Sequence, residues 1–397
     1  MTDINSRIHI GLFGRRNTGK SSIINRMTGQ NLSIVSDIPG TTTDPVKKVV
    51  ELPEIGPVVL IDTAGIDDTS ELGVLRVNKT LSVVIQVDVA IIVISNNEFA
   101  RDEEELIEQL RQFQVPFIML HNKSDEHPAD ESLAGELIYR YKCDFLEFSA
   151  KTGDNLETLL LFLQKNIPDS IKQQPALFAD KVKSRDLVLL VTPIDSEAPA
   201  GRMILPQVHA IREALDNNCI TVVVKETELE DFLQRTNILP ALVITDSQLF
   251  GRIDKVIAPE IPLTSFSILL ARQKGNFEAY LRGTPQIDKL RDGDRILIME
   301  SCTHHSTCED IGRVKIPAWL HEYTGRQLEF DVLPGLDEPP RPINEYAFVI
   351  QCGSCMITRK QLFNRLQPAI DANIPVTNYG MAIAYMKGSW KRSVEML

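Results

Sequence analysis

Arg7-Ile8-His9-Ile10-Gly11-Leu12-Phe13-Gly14-Arg15-Arg16-Asn17-Thr18-Gly19-Lys20-Ser21 decides the fold at the start of this 397-residue chain. Its first half, Arg7 to Phe13, is an apolar run that reads as a buried strand. Its second half, Gly14 to Ser21, fits GxxxxGKS, and a helical pattern follows from Ser22 to Thr28. Strand, glycine-bounded loop and helix in that order make a phosphate cradle. The glycines let backbone N–H groups wrap two phosphates, Lys20 neutralises the outer phosphate oxygens, and the Ser21 hydroxyl is placed to ligate magnesium. Gly14, Asn17, Thr18, Gly19, Lys20, Ser21 and Ser22 are therefore the candidate phosphate contacts.

Four further segments follow in the order that a guanine-nucleotide switch requires. Gly40-Thr41-Thr42-Thr43-Asp44 offers Thr42 as a hydroxyl that closes on magnesium when the γ-phosphate is present. A strand over Val58 to Ile61 ends in Asp62-Thr63-Ala64-Gly65, where Asp62 supports the magnesium shell and the Gly65 N–H senses the γ-phosphate. Lys20, Thr42 and Gly65 are thus the candidate catalytic residues. A strand over Phe117 to Leu120 leads to Asn122-Lys123-Ser124-Asp125. Guanine presents adjacent N1–H and N2–H donors, and the Asp125 carboxylate accepts both, so this segment selects GTP over ATP. Ser149-Ala150-Lys151 supplies the loop behind the base. The spacing and the TTTD switch resemble the Era/TrmE branch of GTPases. That resemblance implies potassium-stimulated hydrolysis, with Asn17 as the K⁺ ligand; the residue-level alternative for Asn17 is a loop-capping asparagine. Ile66 stands where Ras-like enzymes carry a water-orienting glutamine, so intrinsic hydrolysis should be slow.

Composition bounds the remainder. With 43% hydrophobic and 24% charged residues the chain should fold throughout, and its length predicts two or three domains. A formal net charge of -12 disfavours nucleic acid or an anionic membrane as partner. No leader pattern and no apolar run near about 18 residues appears, which predicts a cytoplasmic protein. Its six cysteines are then metal ligands, catalytic groups or core thiols rather than a disulfide framework. Beyond a linker over Ile167 to Pro175, the runs Leu187 to Val191, Ile220 to Val224 and Leu242 to Thr245 alternate with helical patterns at Leu205 to Leu215 and Glu228 to Gln234. That alternation predicts a small parallel sheet, without a catalytic constellation, suited to edge-to-edge dimerisation. Cys143 and Cys219 read as core thiols.

The last third carries two ligand clusters. A strand over Arg295 to Glu300 delivers Cys302, His304 and His305, and a strand over Tyr346 to Ile350 delivers Gln351-Cys352-Gly353-Ser354-Cys355. Both clusters fall just past the carboxyl ends of strands, where open α/β sheets place ligands, and neighbouring parallel strands would bring them together. A helical pattern from Ile357 to Leu366 predicts that the CxxC pair sits at a helix N-terminus, which favours thiolate. By spacing alone the set suits either a Cys3His zinc site or an iron-sulfur cluster with three thiolates. His304, His305, Cys308, Glu309 and water are the candidates for the fourth position.

SCTHHSTCEDIGRVKIPAWL, QCGSC, PVTNYGMAIAYMKG and LVTPIDSEAPAGRMILPQ resemble the H-cluster maturation GTPases of FeFe-hydrogenases over essentially the whole chain. The resemblance implies an α/β protein of three domains: a P-loop GTPase with a mixed, mostly parallel sheet at 1–170, an α/β dimerisation domain at 176–264 and an α/β iron-sulfur domain at 265–397. It implies a homodimer with a [4Fe-4S] cluster on Cys302, Cys352 and Cys355. It also implies a scaffold role, in which a di-iron precursor of the H-cluster is passed to apo FeFe-hydrogenase alongside radical SAM maturases. Many members of that family carry histidine immediately before CxxC; here Gln351 removes that ligand, while His304 is kept. Two competitors remain at this stage: an Era/TrmE-like RNA or ribosome GTPase with a structural zinc, and a nucleotide-controlled electron-transfer protein.

Overall fold

The computed structural model describes residues 7–29, 34–38, 45–67, 83–168, 175–193, 203–301, 310–355 and 357–397. They form two compact units, Met1–Gln173 and Gln174–Leu397.

The first unit is built on seven strands: β1 (Ile8–Phe13), β2 (Ile34–Ile38), β3 (Val46–Leu52), β4 (Gly56–Asp62), β5 (Val89–Ile94), β6 (Phe117–His121) and β7 (Asp144–Glu147), in the order β2-β3-β4-β1-β5-β6-β7. β3 runs antiparallel to both β2 and β4, and every other pairing is parallel. Parallel strands need crossover helices on both faces, so their side chains must be apolar in both directions. β5, Val-Ala-Ile-Ile-Val-Ile, is buried at every position. Alternate residues feed two cores: Ile10, Leu12, Ile91 and Val93 pack on one face, and Phe13, Ala90, Ile92 and Ile94 on the other. The carboxyl ends of β1, β4, β5, β6 and β7 share one edge of the sheet, and the predicted segments at Gly14, Asp62, Asn122 and Ser149 begin there, while Gly40 to Asp44 lies outside the described residues.

The second unit contains two further four-stranded parallel sheets. One has the order β11-β10-β8-β9, from β8 (Leu187–Val191), β9 (Ile220–Val224), β10 (Leu242–Thr245) and β11 (Leu263–Ser265). The other has the order β13-β12-β14-β15, from β12 (Arg295–Met299), β13 (Glu329–Leu333), β14 (Phe348–Gln351) and β15 (Val376–Asn378). The helix Phe266–Lys274 joins them. Seven of its nine residues are buried, because Phe266, Leu269 and Leu270 fill the core beside β8 and β10 while Ile268 and Ala271 fill the core beside β12 and β14. A helix apolar on all sides is one that packs on both. β9 is an edge strand with Ile220 54% and Val223 43% exposed. No helix among the described residues is long and apolar enough to cross a membrane.

Candidate functional site

At the end of β1 the loop Gly14 to Gly19 folds back on itself. Gly14 and Gly19 have φ of 148° and 92°, and a Cβ on Gly19 would lie 2.3 Å from Asn122 Nδ2, so only glycine fits there. Lys20 is buried and donates from Nζ to the carbonyls of Gly14 and Arg15 at 2.8 and 2.7 Å. Burial lowers its pKa, opposed by Asp62 and Asp67. Ser21 Oγ donates to Asp62 Oδ2 at 2.5 Å, which joins the loop to the end of β4 and sets a hydroxyl beside a carboxylate, a hard-oxygen pair of the kind magnesium takes. Asn17 is exposed with φ 60°, the left-handed region that asparagine tolerates. Gly65 lies against the loop: a Cβ there would meet Arg16 Cγ at 2.5 Å. Thr42 lies outside the described residues.

The base-side residues meet one another through side-chain bonds. Asn122 is buried, donates to Thr18 O at 2.8 Å and accepts from Ala150 N at 3.0 Å, so one carboxamide joins the phosphate loop to the Ser149-Ala150-Lys151 loop. Asp125 accepts from Ser149 Oγ at 2.7 Å and lies 3.4 Å from Lys151 Nζ. The Ser149 hydroxyl, helped by Lys151, holds its carboxyl below the ordinary range, which keeps it an acceptor at neutral pH. Lys123 adopts φ 65° at the turn between Asn122 and Asp125.

Sequence reasoning missed three partners. Arg26, on the helix that follows the phosphate loop (Lys20–Gly29), donates to Ala150 O at 2.8 Å and also to Lys151 O. Arg15 makes a bidentate pair with the buried Glu103 at 2.8 and 3.0 Å. Asp67 accepts from Arg16 N at 2.8 Å. Only Asp67 carried a signal, as an acid two residues past Gly65.

In the second unit β12 and β14 pair with Met299 opposite Gln351, and Cys352 N donates to Met299 O at 2.9 Å. Cys352 Sγ accepts from Ser301 N at 3.1 Å, Gln351 Nε2 at 3.3 Å and Ser354 N at 3.5 Å, and lies 3.0 Å from Ser301 Oγ. Ser301 is the residue before Cys302. Ser354 takes φ 56° to close the turn between Cys352 and Cys355. Below the turn, the buried Lys274 points Nζ at the carbonyls of Ser354, Cys355 and Ile357, at 3.2 to 3.5 Å. Arg365 donates to Glu300 O and Leu333 O at 2.8 and 2.7 Å, pinning the ends of β12 and β13.

One local expectation is corrected. The helix after the cysteines spans Arg359–Asp371 and begins behind a capping box in which Thr358 bonds Gln361 N and Gln361 bonds Thr358 N. Those side chains take the first free N–H groups, so CxxC precedes the helix rather than occupying its N-terminus. The N–H groups that reach the Cys352 sulfur are those of Ser301, Gln351 and Ser354 instead. Cys219 is buried and Cys143 half-buried in apolar clusters, and burial pushes the Cys143 thiol up to about 11, which keeps it protonated and inert. Cys302, His304, His305, Cys308 and Glu309 lie outside the described residues, and among those described no three His, Cys, Asp or Glu side chains converge as a metal site. The donor chemistry at Cys352, a sulfur that collects N–H groups and is neighboured by cationic side chains, nevertheless fits an anionic thiolate-bound cluster.

Comparisons with known proteins divide along the same lines. Residues 9–123 match the family model described as 50S ribosome-binding GTPase. The tRNA modification GTPase MnmE of Prochlorococcus marinus is 34% identical over 174 residues, covering 42% of this chain and 36% of the relative. That of Caldicellulosiruptor saccharolyticus is 36% identical over 124 residues, covering 31% and 27%. The chain thus spans about a third of the length of the curated relatives it matches. Era of Aquifex aeolicus aligns at 20% identity and a TM-score of 0.35 over 57% of this chain and 97% of that one, a likeness too slight to argue from. Residues 177–275 match the hydrogen maturase F dimerization domain and residues 278–396 the hydrogen maturase F tetramerization domain. With a GTPase domain followed by both of these domains, the chain belongs to the hydrogen maturase F family.

Proposed function

We propose that this protein is a GTP-hydrolysing scaffold that holds a [4Fe-4S] cluster on Cys302, Cys352 and Cys355, receives a di-iron precursor and delivers it to apo FeFe-hydrogenase in the cytoplasm. The observation that carries the reading is the hydrogen-bonded sulfur of Cys352 at the joined ends of β12 and β14, within the domain that matches hydrogen maturase F. The cluster would supply an iron whose fourth position, open to His304, His305, Cys308, Glu309 or water, would take cargo.

In the first unit Lys20 would exchange its two carbonyl contacts for phosphate oxygens, and Ser21, Thr42 and Asp62 would hold Mg²⁺. Gly65 would report the γ-phosphate, and Asn17 would hold K⁺ near the leaving-group oxygens, where added charge lowers the barrier. Asn122, Lys123 and Asp125, backed by Ser149, Ala150 and Lys151, would select guanine. These residues include no redox group, so GTP turnover gates exchange with hydrogenase and the radical SAM maturases by shifting populations rather than by driving cluster chemistry. The exposed, apolar β9 edge pairs two copies into a homodimer.

Anaerobic reconstitution tests the reading: about four irons per chain with a brown absorption would support it. A colourless protein with one zinc would overturn it in favour of an RNA- or ribosome-directed GTPase. The match to a 50S ribosome-binding GTPase model favours that second reading, and the net charge of -12 opposes it.

A further inference from the structure

We infer that Gln351 is a positioning residue for Cys352: its carboxamide stands at the centre of a hydrogen-bonded collar that fixes the direction and electron density of the cysteine sulfur. The inference rests on the metal role proposed above for Cys352. Gln351 is fully buried, and its Nε2 lies 3.2 Å from Ser301 Oγ, 3.3 Å from Cys352 Sγ and 3.1 Å from Ser354 Oγ.

Nε2 carries two hydrogens for these three acceptors, so its N–H groups are shared among them. Ser354 Oγ donates to Cys352 O at 3.1 Å, so its oxygen is free to accept from Nε2. Ser301 Oγ lies 3.0 Å from the sulfur and accepts from it, and its oxygen also accepts from Nε2. Turned over, the carboxamide would present its oxygen to the sulfur lone pairs. The cost is visible at the other end of the same group: Gln351 Oε1 is buried and has no hydrogen-bond partner among the described residues. An orphaned buried acceptor is tolerated where the remaining bonds of the group offset it.

Three consequences follow. Gln351 acts through the sulfur by its Nε2, which is engaged as a donor and offers no lone pair to a metal. N–H groups directed at a ligating thiolate withdraw electron density from it and favour the reduced metal centre. Removing such an outer partner typically weakens metal retention by about 10- to 100-fold.

The test compares full-length wild type, Gln351→Leu and Ser301→Ala after anaerobic reconstitution. Iron content, iron loss to a chelator and midpoint potential by EPR-monitored titration are read. Gln351→Leu should keep the wild-type iron count, lose iron about 10- to 100-fold faster and shift to a lower potential. A tenfold change in the one-electron equilibrium corresponds to about 59 mV. Ser301→Ala, which leaves the carboxamide in place, should shift both readouts the same way by less, and decides the matter if the leucine variant does not fold. Wild-type potential and loss rate in Gln351→Leu would overturn the collar. So would loss of iron from Gln351→Leu beside a wild-type Ser301→Ala, which would make Gln351 a ligand. If the wild type carries zinc, the cluster reading fails by itself. Cobalt(II)-loaded chains, followed by their thiolate charge-transfer band, then decide the collar by whether Gln351→Leu releases cobalt faster.

Discussion

The nucleotide edge of the first unit and the cysteine turn of the second are both built at the carboxyl ends of parallel strands, yet they are prepared in opposite ways. At the nucleotide edge the groups that would meet the ligand are engaged with one another: Lys20 holds Gly14 and Arg15, Ser21 holds Asp62, and Asp67 holds Arg16 N. The last two of these bonds join the loop after β1 to the end of β4 and to the residues that follow it. At the cysteine turn the sulfur of Cys352 is the acceptor on which neighbouring N–H groups converge, and the chain behind it is pinned by Lys274 and Arg365. A ligand there meets a sulfur that is already fixed in place. One site joins its groups to one another, and the other directs its groups at a single sulfur.

Exchanging the lesions between the two sites breaks the comparison most severely if it is wrong. Lys20→Ala should lower GTP turnover by roughly a thousandfold or more, since the lost charge acts on the transferring phosphoryl group, while iron binding stays at the wild-type count. Cys352→Ser should abolish stable iron binding and leave GTP turnover within about twofold. Phosphate release and iron content measured on the same preparations decide it. Loss of both functions in either variant would mean that the two sites are not separately prepared. Next in size is Asp125→Asn. Removing the carboxylate that accepts both guanine donors should weaken GTP binding by about 10²- to 10³-fold, as expected for two bonds to a charged group. Because asparagine offers an N–H in its place, xanthosine triphosphate, with oxygen where guanine carries its amino group, should bind the variant better than GTP does. Calorimetric titration with both nucleotides would settle it, and unchanged GTP affinity would remove Asp125 from the site.

The two regions also differ in how far they could be read from the amino-acid sequence. Gly14 to Ser21, Asp62 to Gly65 and Asn122 to Asp125 are short, contiguous segments whose chemistry depends on local backbone shape, so residue types and order suffice to recognise them. The strands β1, β4 and β6 and the three middle strands β8, β9 and β10 were legible for the same reason, whereas β5 was not read. β11 escaped because a three-residue strand offers no periodicity. Arg26, Glu103 and Lys274 escaped because nothing local marks a partner far along the chain. Gln351 was legible only as a missing histidine. That it donates to the sulfur depends on Ser301, brought beside it by the pairing of β12 with β14.

Acidification should separate the units further. His9 is buried on β1, and burial, with Lys47 nearby, lowers its pKa to about 4; burial lowers His121 as well. The folded first unit keeps His9 neutral while the unfolded chain protonates near 6.5. Its contribution is therefore whole above that pH and is lost as the pH falls from there toward 4. The ceiling is about 3 kcal/mol, and Asp88, 3.9 Å from the ring, tempers it. Urea unfolding at pH 7 and pH 5 should show the first unit losing stability, with the slope flattened in His9→Gln; an equal slope in that variant would acquit the histidine.

The smallest effect concerns the start of the helix behind the cysteines. If the turn were itself the helix N-terminus, the cap would lie at Cys355 and Thr358 would be one more helical residue, so Thr358→Ala would be neutral or slightly stabilising. With the capping box in place, the same change removes the acceptor for Gln361 N and should cost about 1 kcal/mol of the second unit's stability. Because the collar on Cys352 draws on Ser301, Gln351 and Ser354 and not on the helix, iron retention in Thr358→Ala should match the wild type. A destabilised second unit that still holds its iron at the wild-type rate would separate support of the helix from support of the sulfur. Faster iron loss would tie the two together and return part of the holding power to the helix.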